Sequence, residues 1–173
     1  MKKVLRCAWL KKLSINFKPK ILVSACLLGE RVRYDGEVKK YDLNRLENYY
    51  DFIACCPEVD GGLKTPREPS EILKDGTVIN SAGVDVSRAF KKGANTTLSL
   101  ALKHDIKIAL LKSKSPSCSN KMIYDGTFTN SLVEGVGKTV KLLLENDIEV
   151  FNEMQIDKIL SKREDAKTTQ SLF

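Results

Sequence analysis

Five cysteines, Cys7, Cys26, Cys55, Cys56 and Cys118, are the residues of this 173-residue chain best equipped for chemistry. They are odd in number, widely spaced and without a CxxC pair, which argues against a disulfide framework. A cysteine in a reducing compartment is an inert core residue, a reactive thiol or a metal ligand, and spacing alone does not choose among these. The single histidine, His104, closes a helical stretch and reads as a helix C-terminal residue rather than as a metal ligand.

The elements that must position these thiols are legible as alternating apolar runs and amphipathic stretches. Residues 21–26 form a short apolar run followed by Gly29, which predicts a buried strand ending at Cys26. Residues 42–50 fit a short helix, and residues 51–55 a second strand, cut off by Pro57. Gly61, Gly62, Pro66 and Pro69 make residues 57–71 read as one long ordered loop without regular structure, a kind of segment that usually carries function. Around Asp75 and Gly76, residues 72–79 predict a small hairpin with a two-residue turn.

Val84, Val86, Phe90, Ala94, Leu98, Ala101 and Leu102 recur at helical spacing, giving a helix over about 85–104 that Gly93 weakens without ending. Residues 107–111 predict a third strand that leads toward Cys118. Val133, Val136, Val140, Leu143 and Leu144 mark another helix, residues 148–151 a fourth strand, and residues 156–160 a last short helix. The expected fold is therefore α/β, a single open, mostly parallel sheet flanked by helices, with the long Gly/Pro-rich loop and the small hairpin added.

Length allows one core with tails. Lys2, Lys3, Arg6, Lys11, Lys12, Lys18 and Lys20 face no acid in the first twenty residues, and they account for most of the net charge of +7. Residues 1–19 are read as a basic extension, 20–161 as the α/β domain and 162–173 as a polar tail. The body lacks the basic, aromatic-interleaved run that tracks a phosphate backbone. Val23-Ser24-Ala25-Cys26 resembles a lipoprotein cleavage box, but Lys11, Lys12, Lys18 and Lys20 interrupt any signal core before it. No run reaches transmembrane length, so no membrane partner is expected and the cytoplasm is the expected compartment.

In an open parallel sheet, ligands bind beyond the carboxyl ends of the strands. Cys26 ends the first predicted strand, Cys56 follows the second and Cys118 lies past the third, whereas Cys7 and Cys55 fall outside this pattern. A structural zinc site normally closes with a fourth protein ligand, while thiolates hold iron–sulfur clusters. Three converging thiolates with an open fourth position describe a [4Fe-4S] cluster with one iron free for substrate.

Several ordered motifs carry a resemblance: Val23-Ser24-Ala25-Cys26-Leu27-Leu28-Gly29, Arg33-Tyr34-Asp35-Gly36, Cys56-Pro57-Glu58 with Gly61-Gly62-Leu63, and Pro66-Arg67. They are followed by Gly83-Val84-Asp85-Val86, Gly93-Ala94, Leu111-Lys112, Ser115-Pro116-Ser117-Cys118 and Ile123-Tyr124-Asp125-Gly126-Thr127-Phe128. From about Lys20 to Glu153 the chain resembles the bacterial thiouracil desulfurase family. The resemblance implies a [4Fe-4S] enzyme that converts 2-thiouracil to uracil without redox change, the sulfur binding the non-ligated iron and leaving as sulfide. By motif, its cluster ligands would be Cys26, Cys56 and Cys118. Ser119 stands where that family usually has Gly after the last cysteine, and Asn95 where it usually has Glu after Gly-Ala.

Around those ligands, Glu58 is the candidate general acid/base for water or a ring nitrogen, two residues from a ligand cysteine. Ser115 is a second catalytic candidate, able to hydrogen-bond the ring or the departing sulfur, and Ser117 is a substrate-binding candidate that could do the same less directly; either serine also fits a simple turn role. Arg33, Tyr34 and Asp35 follow the first strand; Tyr34 can stack on a pyrimidine and Asp35 can bind its polar edge, although Tyr34-Asp35-Gly36 also reads as a plain turn. Arg67 is a candidate anion anchor, or the partner of Glu68 or Glu71 in an internal ion pair. Gly61, Gly62, Gly135 and Gly137 lack Rossmann or P-loop spacing, which excludes a nucleotide cofactor.

Two other classes compete with the desulfurase reading. One is a zinc-stabilised RNA-binding or interaction domain with structural cysteines. The other is a thiol enzyme using Cys118 or Cys26, for which the motifs supply no His or Lys base. Within the desulfurase reading the partner is a small thiolated pyrimidine, and the basic extension keeps a thiolated base in tRNA as an alternative.

Overall fold

The computed structural model describes residues 18–170, with side chains described to residue 164. Cys7 and most of the basic extension lie outside the described residues. The first strand, β1 (Lys20–Ser24), is central in a four-stranded sheet, with β2 (Asp51–Cys55) on one side and β5 (Ile108–Leu111) on the other; β8 (Glu149–Asn152) follows β5. All three pairings are parallel, as the expected α/β sheet requires.

A central strand is covered on both faces, which is why β1 is a continuous apolar run. Ile21 and Val23 join a core with Leu43, Leu46, Leu110, Phe151 and Ile159, under α1 (Asn44–Glu47) and α5 (Ile156–Gln170). Leu22 points the other way and packs with Cys55, Ala101, Ala109, Leu111, Cys118, Val140 and Leu143. That second core lies under α3 (Ser87–Lys103) and α4 (Lys138–Leu144). Ile21, Leu22 and Val23 are fully buried, each contributing about 1.5–3 kcal/mol by area, an upper estimate.

Several local expectations need correction. The first strand stops at Ser24, and Cys26 lies instead on a 3-10 turn (Ala25–Leu28) closed by Gly29 at φ 87°. The 57–71 stretch is not devoid of regular structure: α2 (Pro57–Asp60) opens it. Pro57 is pre-set for the first helical position, and Asp60 Oδ2 accepts a hydrogen bond from the Cys56 N–H at 3.2 Å.

The hairpin of β3 (Ser70–Ile72) and β4 (Val78–Asn80) turns through residues 73–77, wider than two residues. Val133 belongs to a second hairpin rather than to a helix: β6 (Met122–Tyr124) pairs with β7 (Leu132–Glu134). Gly135 and Gly137 break the apparent helical period, so α4 begins only at Lys138. The final helix runs to Gln170, well beyond the expected short one and through the residue-161 boundary. His104 caps α3, with Nδ1 3.1 Å from Lys20 Nζ. No helix among the described residues is long and apolar enough to cross a membrane.

Candidate active site

The strand order reverses between β1 and β5, since the chain leaves β1 toward β2 and later returns to its other side. The crevice beyond the carboxyl ends of these strands is where an open sheet binds ligands. Here it is a cavity of about 400 Å³. Across its floor the Lys112 N–H donates to Ser24 Oγ at 3.0 Å, tying the two strand ends together.

Three segments deliver cysteines to this cavity. Cys26 comes from the 3-10 turn, Cys56 from the residue that caps α2, and Cys118 from the loop after β5. The segments carrying Cys56 and Cys118 are held by backbone approaches that a side chain would block. An ideal Cβ on Gly93 of α3 would lie 1.7 Å from the Pro57 carbonyl oxygen, and one on Gly61 2.2 Å from that of Ala89, so α2 rests backbone to backbone on α3.

Gly137 makes the equivalent contact with the last cysteine, since a Cβ there would be 2.4 Å from the Ser117 carbonyl and 2.8 Å from the Cys118 nitrogen. The N–H groups of Gly137, Lys138 and Thr139 then donate to the carbonyls of Ser119, Pro116 and Ser117. These bonds satisfy the start of α4 and fix the Cys118 loop together. Ser119, the residue departing from the family pattern, closes the same loop: its Oγ accepts from Lys114 N–H and donates to the Met122 carbonyl. Asn95, the other departure, is exposed on the outer face of α3.

Beside the thiols runs a connected polar line. Arg67 donates through Nε and Nη2 to Glu58 Oε2 at 2.8 and 2.6 Å, and both side chains are largely buried. Nη1 of Arg67 donates to the Val32 and Lys64 carbonyls and to Thr65 Oγ1. Thus Arg67 pairs with Glu58, and with neither Glu68 nor Glu71. The other oxygen, Glu58 Oε1, accepts from Ser115 Oγ at 3.2 Å, and that hydroxyl accepts from the N–H groups of Ser117 and Cys118, each at 3.1 Å. A carboxylate from α2 is thereby linked through one serine to the backbone of a candidate ligand cysteine.

Cys26, Cys56, Cys118, Glu58, Ser115, Arg33, Tyr34 and Arg67 all line the cavity, whereas Asp35 and Ser117 do not. Asp35 turns to Arg33, accepting from Nε and Nη2 at 3.0 and 2.5 Å and from the Glu37 N–H. Ser117 is fully buried behind Cys118, with its Oγ unpartnered among the described residues. Sequence reasoning also passed over wall residues. Lys112, immediately after β5, satisfies the same strand-end rule that singled out Cys26 and Cys56. Its ammonium pairs with Glu153, which also accepts from Ser113 N–H and Oγ. Cys55 lies both in the core and on the wall, and Glu71, Tyr124 and Phe128 add to it.

Burial dominates the electrostatics of the thiols. It pushes Cys26 up to about 11, with Cys56 adding to the rise and Lys112 and Arg33 opposing it. Cys56 is raised, and Cys55 and Cys118 stand well above the usual thiol value, for the same first cause. Among the described residues no three His, Cys, Asp or Glu side chains form a cage for one metal ion. Three cysteines lining one cavity are the donor type that holds an iron–sulfur cluster.

The sequence profile of the 2-thiouracil desulfurase family matches residues 21–155. A protein named YbbK from Bacillus subtilis (strain 168) is 35% identical over 150 residues, covering 81% of this chain and 99% of its own. Among solved structures, the [4Fe-4S]-dependent thiouracil desulfidase TudS superposes with a TM-score of 0.79 at 44% identity, over 84% of this chain and 97% of its own.

Proposed function

This chain belongs to the 2-thiouracil desulfurase family, and from that membership we propose that it is a [4Fe-4S]-dependent desulfidase that replaces the sulfur of 2-thiouracil by oxygen. The reaction consumes water and releases uracil and hydrogen sulfide, so no electron donor enters. The observation that carries the proposal is the arrival of Cys26, Cys56 and Cys118, from three separate segments, at the lining of one cavity that the Glu58–Arg67 pair also lines.

In this reading those three thiols hold the cluster, which when bound supplies a thiophilic Lewis-acidic iron for the thiocarbonyl sulfur. Glu58 takes a proton from the attacking water at Oε1 and delivers it to the leaving sulfur. Arg67 grips Oε2 twice and so fixes which oxygen faces the water. Ser115 orients Oε1 and holds it at a set distance from the Cys118 backbone. Arg33 and Tyr34 contribute the substrate wall after β1. Asp35 acts by holding Arg33, and Ser117 by supporting the Cys118 loop. A reducing cytoplasm is the compartment in which such thiolates persist.

The test is anaerobic reconstitution with iron and sulfide, reading visible absorption and iron content for the parent and for Cys26→Ala, Cys56→Ala, Cys118→Ala and Cys55→Ala. A broad band near ~400 nm with about four irons per chain, lost in the first three variants and kept in Cys55→Ala, is expected. A colourless protein, or one that carries zinc, would overturn the proposal.

A further inference from the structure

The chemistry above makes no use of the wall contributed by the β6–β7 hairpin, where Tyr124, Phe128 and Asn130 line the cavity. The connection between these strands is laced by polar side chains. Asp125 Oδ1 accepts from Thr127 N–H at 3.0 Å and from its Oγ1 at 2.6 Å; Thr129 Oγ1 then lies 2.7 Å from Thr127 Oγ1 and 2.9 Å from Ser131 Oγ. At its centre Phe128 has φ 58°, a left-handed conformation that a bulky side chain rarely adopts. Such a residue persists only where its surroundings over-determine it, and these residues gather at ligand sites.

The determinant here is Glu71 of β3. Its side chain is buried, and Oε2 accepts from the N–H groups of Gly126 at 2.9 Å and Phe128 at 3.1 Å. No Lys or Arg among the described residues pairs with it. Gly126, at φ 89°, packs against Leu73 of the other hairpin, where a Cβ would come within 3.0 Å of Leu73 Cδ2. A carboxylate is thus kept buried without a cation in order to hold the backbone of one aromatic residue. Packing of the loop alone would be met by glycine at position 128.

We propose that Phe128 is the specificity-determining residue for the ring of the substrate, offering an aromatic face that favours planar heterocyclic thiocarbonyls over acyclic ones, and that Glu71 is the positioning residue that fixes it. This deepens the desulfidase reading and rests on it. Sulfur recognition by an iron does not distinguish thiouracil from thiourea, because both present the same C=S group. An aromatic wall does, since stacking and ring burial are open only to the heterocycle.

The experiment uses the cluster-loaded full chain and measures sulfide release from 2-thiouracil and from thiourea, together with the Kd for uracil, which has the ring without the sulfur. Phe128→Leu keeps apolar volume and removes the aromatic face. It is expected to raise KM for 2-thiouracil and Kd for uracil about tenfold, to leave kcat within about threefold, and to lower the preference for 2-thiouracil over thiourea by about the same tenfold factor. Phe128→Tyr should restore all three.

Glu71→Ala should reproduce the Phe128→Leu profile, whereas Glu71→Gln, whose amide oxygen can still accept both N–H groups, should not. An unchanged uracil Kd and substrate preference in Phe128→Leu would overturn the proposal. So would a fall in kcat for both substrates together with a fall in melting temperature, which is the signature of a structural role. If the parent released sulfide from neither substrate, the desulfidase reading would fail by itself, and the uracil Kd would still decide the ring contact.

Discussion

Replacing Gly93 by alanine tests how the fold positions the site, because Gly93 itself does not line the cavity and acts on it only through the backbone it touches. In a free helix the substitution is favourable by about 1 kcal/mol, since glycine is the weaker helix former. Here the new methyl group would sit 1.7 Å from the Pro57 carbonyl oxygen, 2.6 Å from its carbon and 3.2 Å from its Cα. Those atoms are backbone and cannot rotate away. Because real Cβ contacts do not fall below 3.0 Å, α2 must retreat by about 1.3 Å. Overpacking of this kind costs about 1–3 kcal/mol, so the net loss of stability is small, and for a chain of this length it lowers Tm by about 2–4 °C per kcal/mol.

Function should suffer far more than stability. Cys56 caps α2 and Glu58 lies in its first turn, so both move with it, and a misplacement of about 1 Å can reduce a rate about 100-fold. Gly93→Ala is therefore expected to fold, to lose iron or hold it weakly, and to turn over 2-thiouracil about 100-fold more slowly. Asn95→Ala, on the exposed face of the same helix, should match the parent. Circular dichroism gives Tm, colorimetric iron gives loading, and sulfide release gives turnover. Full iron content with turnover within twofold of the parent would refute the claim that this backbone contact sets the site.

Three further outcomes follow from named contacts. Glu58→Gln keeps the shape of the side chain and leaves Arg67 without its counter-charge; because Arg67 retains three oxygen acceptors, the loss should fall at or below the low end of the ~3–5 kcal/mol seen when a buried pair is broken. Turnover should drop about 10²–10⁴-fold, and a variant keeping a tenth of parental activity would remove Glu58 from the mechanism. Glu153 is pushed up by burial, but its bonds to Lys112 and Ser113 outweigh this and hold it below the usual carboxylate value. It therefore adds stability above the unfolded value of about 4.3, which is lost as pH falls through the lower folded value. Urea midpoints from pH 7 to 3 should decline less in Glu153→Gln than in the parent, and parallel curves would contradict the assignment. Gly137→Ala, whose Cβ would meet Ser117 and Cys118 backbone atoms, should lose the cluster as Gly93→Ala does, read by iron content; full loading would show that the Cys118 loop tolerates the shift.

The parts of the fold that could be read from the sequence are those buried on both faces. Ile21, Leu22 and Val23, or Ala109, Leu110 and Leu111, leave little alternative to an interior strand, and the strand-end rule then selects Cys26, Cys56 and Cys118. The short elements were hidden by coincidence. Val133, Val136 and Val140 happen to fall at helical spacing, although the first is on β7 and the second precedes α4, so the hairpin carrying Phe128 went unseen. Pro57 reads in the sequence as the end of a strand and Gly61 as a sign of irregular structure, yet the first opens a helical turn and the second lets that turn lie against α3. Asp35 and Ser117 show the limit of motif adjacency: neighbours in sequence share a loop, but the side chain of one turns to Arg33 and that of the other into the interior.

The cavity that gathers Cys26, Cys56 and Cys118 also fixes the charges around them. The cations beside them are already committed, Arg33 to Asp35, Arg67 to Glu58 and Lys112 to Glu153. With these pairs nearly neutral, burial rather than charge governs the cysteines, and Cys26 at about 11 stays protonated at neutral pH. The chain on its own therefore buries neutral thiols and no uncompensated thiolate. If these cysteines hold the proposed cluster, their thiolate charge arises as iron displaces the protons, so that metal binding and deprotonation would be one event. The guanidinium and ammonium groups around them are each held by a carboxylate partner. On the proposed reading these ion pairs frame the site with charges already balanced, so that a gain of thiolate charge there would be offset by the bound iron rather than by the surrounding cations.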